Sequence, residues 1–172
     1  EAAGGEARYI AIDVRDAEAV GAALTDIRWD WGPVTGLIHA AGVLADKRIE
    51  DKTPEQMEAV FQTKVQGLQA LLSATAEDPL RVLCLFSSVA ARFGNIGQND
   101  YAMANEVLNK VAQAEACRRG DDTLVKSINW GPWDGGMVSP GLADHFRSNG
   151  VPLISVPAGV KFLVRELTDD GG

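Results

Sequence analysis

Four short, continuously apolar runs alternate along the chain with longer stretches of helical periodicity, and this alternation restricts the fold more than any other feature. The runs are Tyr9–Ile12, Val34–Ile38, Val82–Phe86 and Leu124–Ile128. Runs that are apolar throughout, rather than at every second residue, are typical of parallel strands covered on both faces. With 172 residues and 46% hydrophobic content, the chain suits one domain. The sequence therefore predicts an α/β fold built on a parallel sheet.

The helices between these strands have clear boundary signals. Asp16 is suited to cap the first helix, and Gly32 ends it. Thr53 and Gln56 form a capping box at the start of the second helix. Further helices are predicted from about Gln98 to Arg119, from about Leu142 to Arg147 and from Pro157 onward.

An acidic charge balance narrows the possible partners of the chain. The net charge is −8, from 24 acidic and 16 basic residues, and Lys and Arg form no cluster. This balance disfavours nucleic acids and anionic membranes as partners. No apolar stretch reaches the roughly 18 residues that cross a bilayer, and the first residues lack the form of a signal peptide. Cys84 and Cys117 lie in separate segments, which favours free thiols and a cytoplasmic location.

Residues that follow the predicted strands are the first candidates for a binding site, because ligands collect at the carboxyl ends of parallel strands. These positions are 13–14, 39–42, 87–88 and 129–131. Gly42 would let the backbone approach a flat ligand closely. Each segment alone also fits an ordinary strand-to-helix loop. Their coincidence at one end of the sheet predicts a shared crevice.

Lys64, Ser88, Tyr101 and Asn105 form the candidate catalytic set. Lys64 falls on the apolar stripe of its helix, where an unpaired ammonium group is costly to bury. Tyr101 and Asn105 lie one turn apart on one helix face, and a hydroxyl from Ser88 would reach them from a strand end. Taken singly, these residues also fit a lysine that snorkels to solvent, a capping serine and a core tyrosine. Together they predict a site that moves a proton beside a bound cofactor.

Other catalytic classes are disfavoured by the residues around these positions. His39 closes a strand with no carboxylate or cysteine at metal-ligand spacing, so we interpret it as a wall of the ligand site. Ser87 and Ser88 lack the G-x-S-x-G turn of hydrolases. Zinc-binding spacing does not occur either, and we expect no metal.

Four stretches of the chain resemble successive signatures of one enzyme family. They are His39–Val43, Leu85–Ala90, Gly94–Asn105 and Ile128–Trp133. Over essentially its whole length the chain resembles the ketoreductase domains of polyketide synthases and polyunsaturated-fatty-acid synthases, which are short-chain dehydrogenase/reductases. Free-standing members of that superfamily carry Tyr-x-x-x-Lys. The polyketide type exchanges the lysine and an asparagine between two helices, as Lys64 and Asn105 do here.

The resemblance implies a Rossmann-like, doubly wound parallel sheet with the strand order 3-2-1-4-5-6-7. In that order the chain would supply strands 3 to 6, and the first of them would have no neighbour. The family's Gly-rich phosphate loop precedes the strand that leads into Asp13 and Val14, so it would lie outside the chain. We therefore expect residues 1–172 to be part of a larger ketoreductase catalytic domain, with a lid at about residues 134–155.

The resemblance also implies a role for each candidate residue. Tyr101 would donate a proton to a substrate ketone, Ser88 would orient the ketone oxygen, and Lys64 would make the phenol more acidic. Asn105 would complete the polar network. A reduced nicotinamide cofactor would supply hydride, and NADPH is expected from the family alone. The implied cofactor contacts are Asp13, Val14, His39, Ala40, Ala41, Gly42, Lys64, Ser87, Tyr101, Trp130, Gly131, Pro132 and Met137.

The substrate implied by the family is a β-ketoacyl chain that phosphopantetheine links to an acyl carrier protein. The implied partners are that carrier, the neighbouring synthase domains and the rest of the reductase domain. Leu44-Ala45-Asp46 and Phe93 together favour a D-hydroxy product. Two rival hypotheses stay open: a non-catalytic reductase domain that scaffolds its neighbours, and a free-standing alcohol dehydrogenase. The intact catalytic set argues against the first, and Asn105 argues against the second.

Overall fold

A three-stranded parallel sheet forms the centre of the molecule. The computed structural model describes residues 4–136, 138, 140–148 and 150–168. The strands are β1 (Gly36–His39), β2 (Val82–Ser88) and β3 (Leu124–Trp130), and they lie in the order β1-β2-β3. All described pairings are parallel, with Gly36 beside Val82 and Val82 beside Leu124. The predicted α/β fold with a parallel sheet is confirmed.

The helices begin and end where local chemistry indicates. The Asp16 side chain accepts the backbone N–H groups of Glu18 and Ala19 at the start of the first helix, and both bonds of the Thr53–Gln56 capping box are present. The helices are α1 (Ala17–Trp31), α2 (Pro54–Ala74), α3 (Ala90–Phe93), α4 (Asn99–Arg119), α5 (Pro140–Ser148) and α6 (Val156–Thr168), with a 3₁₀ turn at Gly120–Asp122. None of the described helices combines the length and apolar content needed to cross a lipid bilayer.

The predicted strand at Tyr9–Ile12 does not form. In the described ranges it joins no sheet, Tyr9 is 91% exposed, and Ile10 and Ile12 are also exposed. A strand exists only when a neighbour accepts and donates its backbone hydrogen bonds. β1 pairs only with β2 among the described strands, so this apolar run has no partner there. Residues 9–12 instead lead, without regular secondary structure, into the turn before α1.

The core lies on both faces of β2. Leu83 and Leu85 point to one face, where they pack with α2 and α4, and Cys84 points to the other, where it packs with β3 and α6. β1 is covered differently: Leu37 and His39 are buried, whereas Ile38 is 48% exposed. The expectation of two covered faces therefore holds for β2 and is wrong for β1. Cys84 is buried and Cys117 exposed, and both are free thiols as predicted.

Candidate active site

A cavity of about 570 Å³ opens at the carboxyl end of the sheet. Most of its lining is apolar, and its few polar groups include the side chains of Lys64, Ser88 and Tyr101. The sequence-predicted residues that it brings together are Ala40, Lys64, Ser87, Ser88, Tyr101, Trp130, Gly131 and Pro132. Lys64 comes from α2, Ser88 from β2 and Tyr101 from α4, so three different elements bring the polar side chains of the cavity to one place.

Lys64 is held inside the protein rather than at its surface. Its side chain is buried, with 4% of the residue exposed, and its Nζ donates to the carbonyl of Phe86 on β2 at 2.9 Å. Nζ also lies 5.5 Å from the centre of the Tyr101 ring. Burial lowers the pKa of the Lys64 ammonium to about 8. A snorkelling lysine would reach solvent, so the structure excludes that alternative.

The pKa of the Tyr101 phenol is shifted upward, whereas the sequence predicts a downward shift. Burial raises this pKa, the nearby polar side chains of Asn105 and Ser88 lower it, and the charge of Asp46 raises it. The net direction is upward, because removing the phenolate from water outweighs the effect of these polar neighbours. The net lowering of the phenol pKa that the sequence predicts is therefore not found, although Lys64 Nζ lies near the ring. A phenol that stays protonated at neutral pH suits a proton donor.

Asn105 braces the helix that carries Tyr101 and does not line the cavity. It is fully buried, and its Nδ2 donates to the Tyr101 carbonyl one turn earlier at 2.8 Å. Ser87 Oγ donates to the Asn105 carbonyl at 3.1 Å and lies equally close to Asn129 Oδ1. Asn105 Oδ1 is buried and has no hydrogen-bond partner among the described residues. Asn105 therefore ties α4 to β2 beside the cavity.

His39 supports the Lys64 helix instead of forming the cavity wall. It is 1% exposed, and its Nε2 lies 2.9 Å from the Lys64 carbonyl. A carbonyl only accepts, so Nε2 carries the hydrogen of a neutral imidazole. Burial lowers the pKa of His39 to about 4, which agrees with the neutral form. The interpretation of His39 as a wall of the ligand site is corrected accordingly.

Gly67 makes room for the residues behind the cavity. A Cβ at this position would lie 2.8 Å from Val14 Cγ1 and 3.6 Å from His39 Cε1. The atoms that approach Gly67 belong to side chains rather than to another backbone. This contact sets the distance between α2 and the segment before α1.

The remaining predicted contacts lie away from the cavity lining. Asp13 is exposed and bonded to Arg15, with 2.6 Å between Oδ2 and Nη2, and this partner lowers its pKa to about 2. Ala41 and Gly42 are half-buried beside the opening and do not line it. Met137 lies outside the described residues. From the proposed lid segment, the cavity is lined by Gly135, Gly136, Val138, Leu142, Phe146 and Val151.

Several lining residues escaped sequence reasoning. Val89, Gln98 and Trp133 line the cavity although the sequence predicted none of them as a site residue. Their places within the signature stretches, close to Ser88, Tyr101 and Pro132, were the available signal, since neighbours of site residues on strand ends and helix starts face the same crevice. Asp100 directly precedes Tyr101, but its partner Lys52 is 48 residues away in the sequence, so this contact is visible only in the structure.

Comparison with known proteins gives a consistent result. The sequence model of the KR domain family matches residues 1–135. A polyunsaturated fatty acid synthase polypeptide from Thraustochytrium sp. is 45% identical over 166 residues, which cover 96% of this chain and 6% of that polypeptide. This chain therefore spans only a small part of the relative that it matches.

Solved structures agree with this similarity. A ketoreductase from the first module of phoslactomycin biosynthesis in Streptomyces sp. HK803 is 32% identical, with a TM-score of 0.86 over 99% of this chain and 39% of its own. A short-chain dehydrogenase from Burkholderia cenocepacia J2315, solved in complex with NADP, is 24% identical with a TM-score of 0.82, over 95% of this chain and 70% of its own. The second likeness concerns the fold alone. Together they confirm the predicted Rossmann-like architecture.

Proposed function

The chain belongs to the KR domain family, the ketoreductase domains of polyketide and related synthases within the short-chain dehydrogenase/reductases, and on this basis we propose that it reduces a β-ketoacyl thioester to the β-hydroxyacyl thioester with NADPH. The proposed substrate is held on the phosphopantetheine arm of an acyl carrier protein. The observation that carries the proposal is the meeting of Lys64, Ser88 and Tyr101 at one largely apolar cavity.

The cavity fits the nicotinamide end of such a cofactor. Ala40 and Gly131 present little side-chain bulk, while Trp130 and Pro132 offer flat apolar surface for a ring. When bound, the cofactor supplies the hydride that goes to the carbonyl carbon. Asp13 and Val14 remain the proposed adenine contacts. The preference for NADPH over NADH rests on the family, and the NADP-bound dehydrogenase of the same fold is compatible with it.

The residues of the chain account for the proton and the charge. In the proposed reaction Tyr101 transfers its phenolic proton to the carbonyl oxygen, while Ser88 donates a hydrogen bond to that oxygen. Lys64 keeps a positive charge near the ring at neutral pH, since its pKa is about 8, and this charge stabilises the phenolate left behind. Hydride on carbon and a proton on oxygen complete the alcohol.

The chain offers a matched pair of tyrosines for testing this proposal. Its two tyrosines are Tyr101 in the cavity and Tyr9, which is 91% exposed. In the full-length protein, Tyr101→Phe should reduce turnover of a β-ketoacyl thioester by about 100-fold or more, the contribution of a lost general acid. Its Kd for NADPH should stay unchanged, and Tyr9→Phe should behave as the unmodified protein.

Three outcomes would contradict the proposal. If Tyr101→Phe turns over as fast as Tyr9→Phe, another group supplies the proton. If the unmodified protein binds NADPH and reduces nothing, the structural-domain hypothesis is favoured. If small untethered alcohols react better than carrier-bound thioesters, the free-standing dehydrogenase hypothesis gains support. NADH in place of NADPH as the better donor would overturn only the cofactor assignment.

A further inference from the structure

The N–H group of Tyr101 needs an acceptor that its own helix does not provide. α4 begins at Asn99, and the first N–H groups of a helix have no partner within it. Gln98, at the N-cap position, makes no capping hydrogen bond with its side chain. Asp100 Oδ1 accepts the Tyr101 N–H at 2.8 Å instead. A carboxylate inside the first turn therefore does what a capping side chain normally does.

Asp100 is itself fixed by a residue from another part of the chain. Lys52 Nζ lies 2.5 Å from Asp100 Oδ1, and the two side chains are only 3% and 1% exposed. Lys52 Nζ also donates to the carbonyl of Gly97 at 3.2 Å. Lys52 precedes the cap of α2 at Thr53. The ion pair thus joins the start of α2 to the start of α4.

Two further contacts reinforce this junction. The Lys47 N–H donates to the Gly97 carbonyl at 3.0 Å, and Gln98 Nε2 donates to Asp46 Oδ2 at 2.7 Å. Four hydrogen bonds therefore connect residues 46, 47 and 52, between β1 and α2, to residues 97–100, which lead into Tyr101. A displacement of one segment would move the other.

The ion pair is poorly designed for stability alone. Asp100 Oδ2 is buried and has no hydrogen-bond partner among the described residues. A buried carboxylate oxygen without a donor forfeits its hydration, so such pairs commonly stabilise a protein less than apolar residues of the same volume. Arg48 and Glu50 form an ion pair in the same segment, and because both side chains are exposed, this pair carries no such desolvation penalty. The buried pair therefore calls for a role other than stability.

We propose that Asp100, held in place by Lys52, is a positioning residue for Tyr101 in the reductase reaction, an inference that rests on the proposed function above. Asp100 fixes the Tyr101 main chain through its N–H, and Lys52 fixes Asp100 against the segment before α2. The phenol must stay within hydrogen-bond reach of the ketone oxygen beside Ser88. Small misplacements of a catalytic group reduce the rate much more than they weaken binding.

A pair of double variants of the full-length protein isolates this contact. Lys52→Met with Asp100→Asn removes the ion pair but keeps an oxygen that accepts the Tyr101 N–H. Lys52→Met with Asp100→Leu removes both the ion pair and the accepting oxygen. If this leucine variant does not bind NADPH, Lys52→Met with Asp100→Ala takes its place. Glu50→Gln breaks the exposed pair and is the matched control. We expect the asparagine variant to exceed the leucine or alanine variant in kcat by about fivefold or more, with similar KM values.

The inference is overturned if kcat of the asparagine variant exceeds kcat of the leucine or alanine variant by less than about fivefold, with kcat calculated per NADPH-binding molecule. Hydrogen exchange of the Tyr101 amide gives a readout that does not depend on activity. Exchange should be faster in the leucine or alanine variant than in the asparagine variant, and equal rates would count against the inference. If the unmodified protein shows no reductase activity, the proposed function fails, and the exchange comparison alone decides whether Asp100 holds Tyr101.

Discussion

Lys64 combines a buried ammonium group with a fixed hydrogen-bond partner. Nζ donates to the Phe86 carbonyl, and burial lowers the pKa of the side chain to about 8. The charge is present below that pH and is lost as the pH rises through it. In the proposed reaction this charge stabilises the Tyr101 phenolate as its proton leaves. The rate of reduction should therefore follow the titration of Lys64.

We expect kcat/KM for reduction to fall above about pH 8, the pKa of Lys64 in the folded protein. Lys64→Arg keeps a charge that does not titrate in this range, so its profile should stay level to higher pH even if its plateau is lower. Initial rates between about pH 6 and 10 measure both profiles. A falling limb at the same pH in both proteins would assign it to another group.

Thermal unfolding at each pH provides the control for this profile. In the unfolded chain Lys64 regains its ordinary, higher pKa, so the unfolded state binds more protons above pH 8. The free-energy penalty of burying the ammonium therefore shrinks as the pH rises above 8, so Lys64 destabilises the fold less there than at neutral pH. Loss of activity together with a constant or rising melting temperature is the expected combination.

The helices other than α3, which the sequence did not predict, were predictable because their ends depend on local chemistry. Asp16, Thr53 and Gln56 form the expected caps, and Gly120 follows α4 as expected. These signals lie within a few residues of each other. The Lys52–Asp100 pair and the contact of Gly67 with Val14 join segments far apart in sequence. Their geometry depends on how whole elements pack, which periodicity does not reveal.

Two helix glycines make a matched test of this packing. Gly21 in α1 has nothing within 4 Å of the position that a Cβ would occupy, whereas a Cβ on Gly67 in α2 would meet Val14 Cγ1 at 2.8 Å. Gly21→Ala should stabilise the protein by about 0.5–1 kcal/mol through helix propensity. Gly67→Ala should destabilise it by about 1–2 kcal/mol through overpacking. Melting temperatures in the full-length protein measure both changes.

A third variant identifies the clash that is responsible. Val14→Ala combined with Gly67→Ala removes the methyl groups that a new Cβ would meet. The double variant should regain part of the melting temperature lost by Gly67→Ala alone. If Gly67→Ala stabilises the protein as Gly21→Ala does, the close approach of Val14 to α2 is incorrect.

For the molecule as a whole, the sequence predicted the architecture and the meeting of Lys64, Ser88 and Tyr101 at one cavity, whereas Asn105 lies outside the cavity lining. The family strand order left Tyr9–Ile12 without a neighbour in the chain, yet this apolar run was still expected to form a strand. Among the described residues it joins no sheet, because a strand needs a partner for its backbone hydrogen bonds. The sequence also missed the direction of the Tyr101 pKa shift, since that direction depends on burial in the assembled cavity. Residue types and spacing indicate which groups meet. The packing around them sets their proton affinities.

In the proposed reaction, hydride reaches a β-ketone in the cavity at the carboxyl end of the sheet while Tyr101 supplies the proton. The decisive experiment is reduction of a carrier-bound β-ketoacyl thioester with NADPH deuterated at both C4 positions, followed by mass analysis of the product. We predict one deuterium on the β-carbon of the hydroxyacyl product, formed by Tyr101→Phe about 100-fold more slowly than by the unmodified protein. A product without deuterium, or equal rates of labelled product from both proteins, would contradict the proposed reaction.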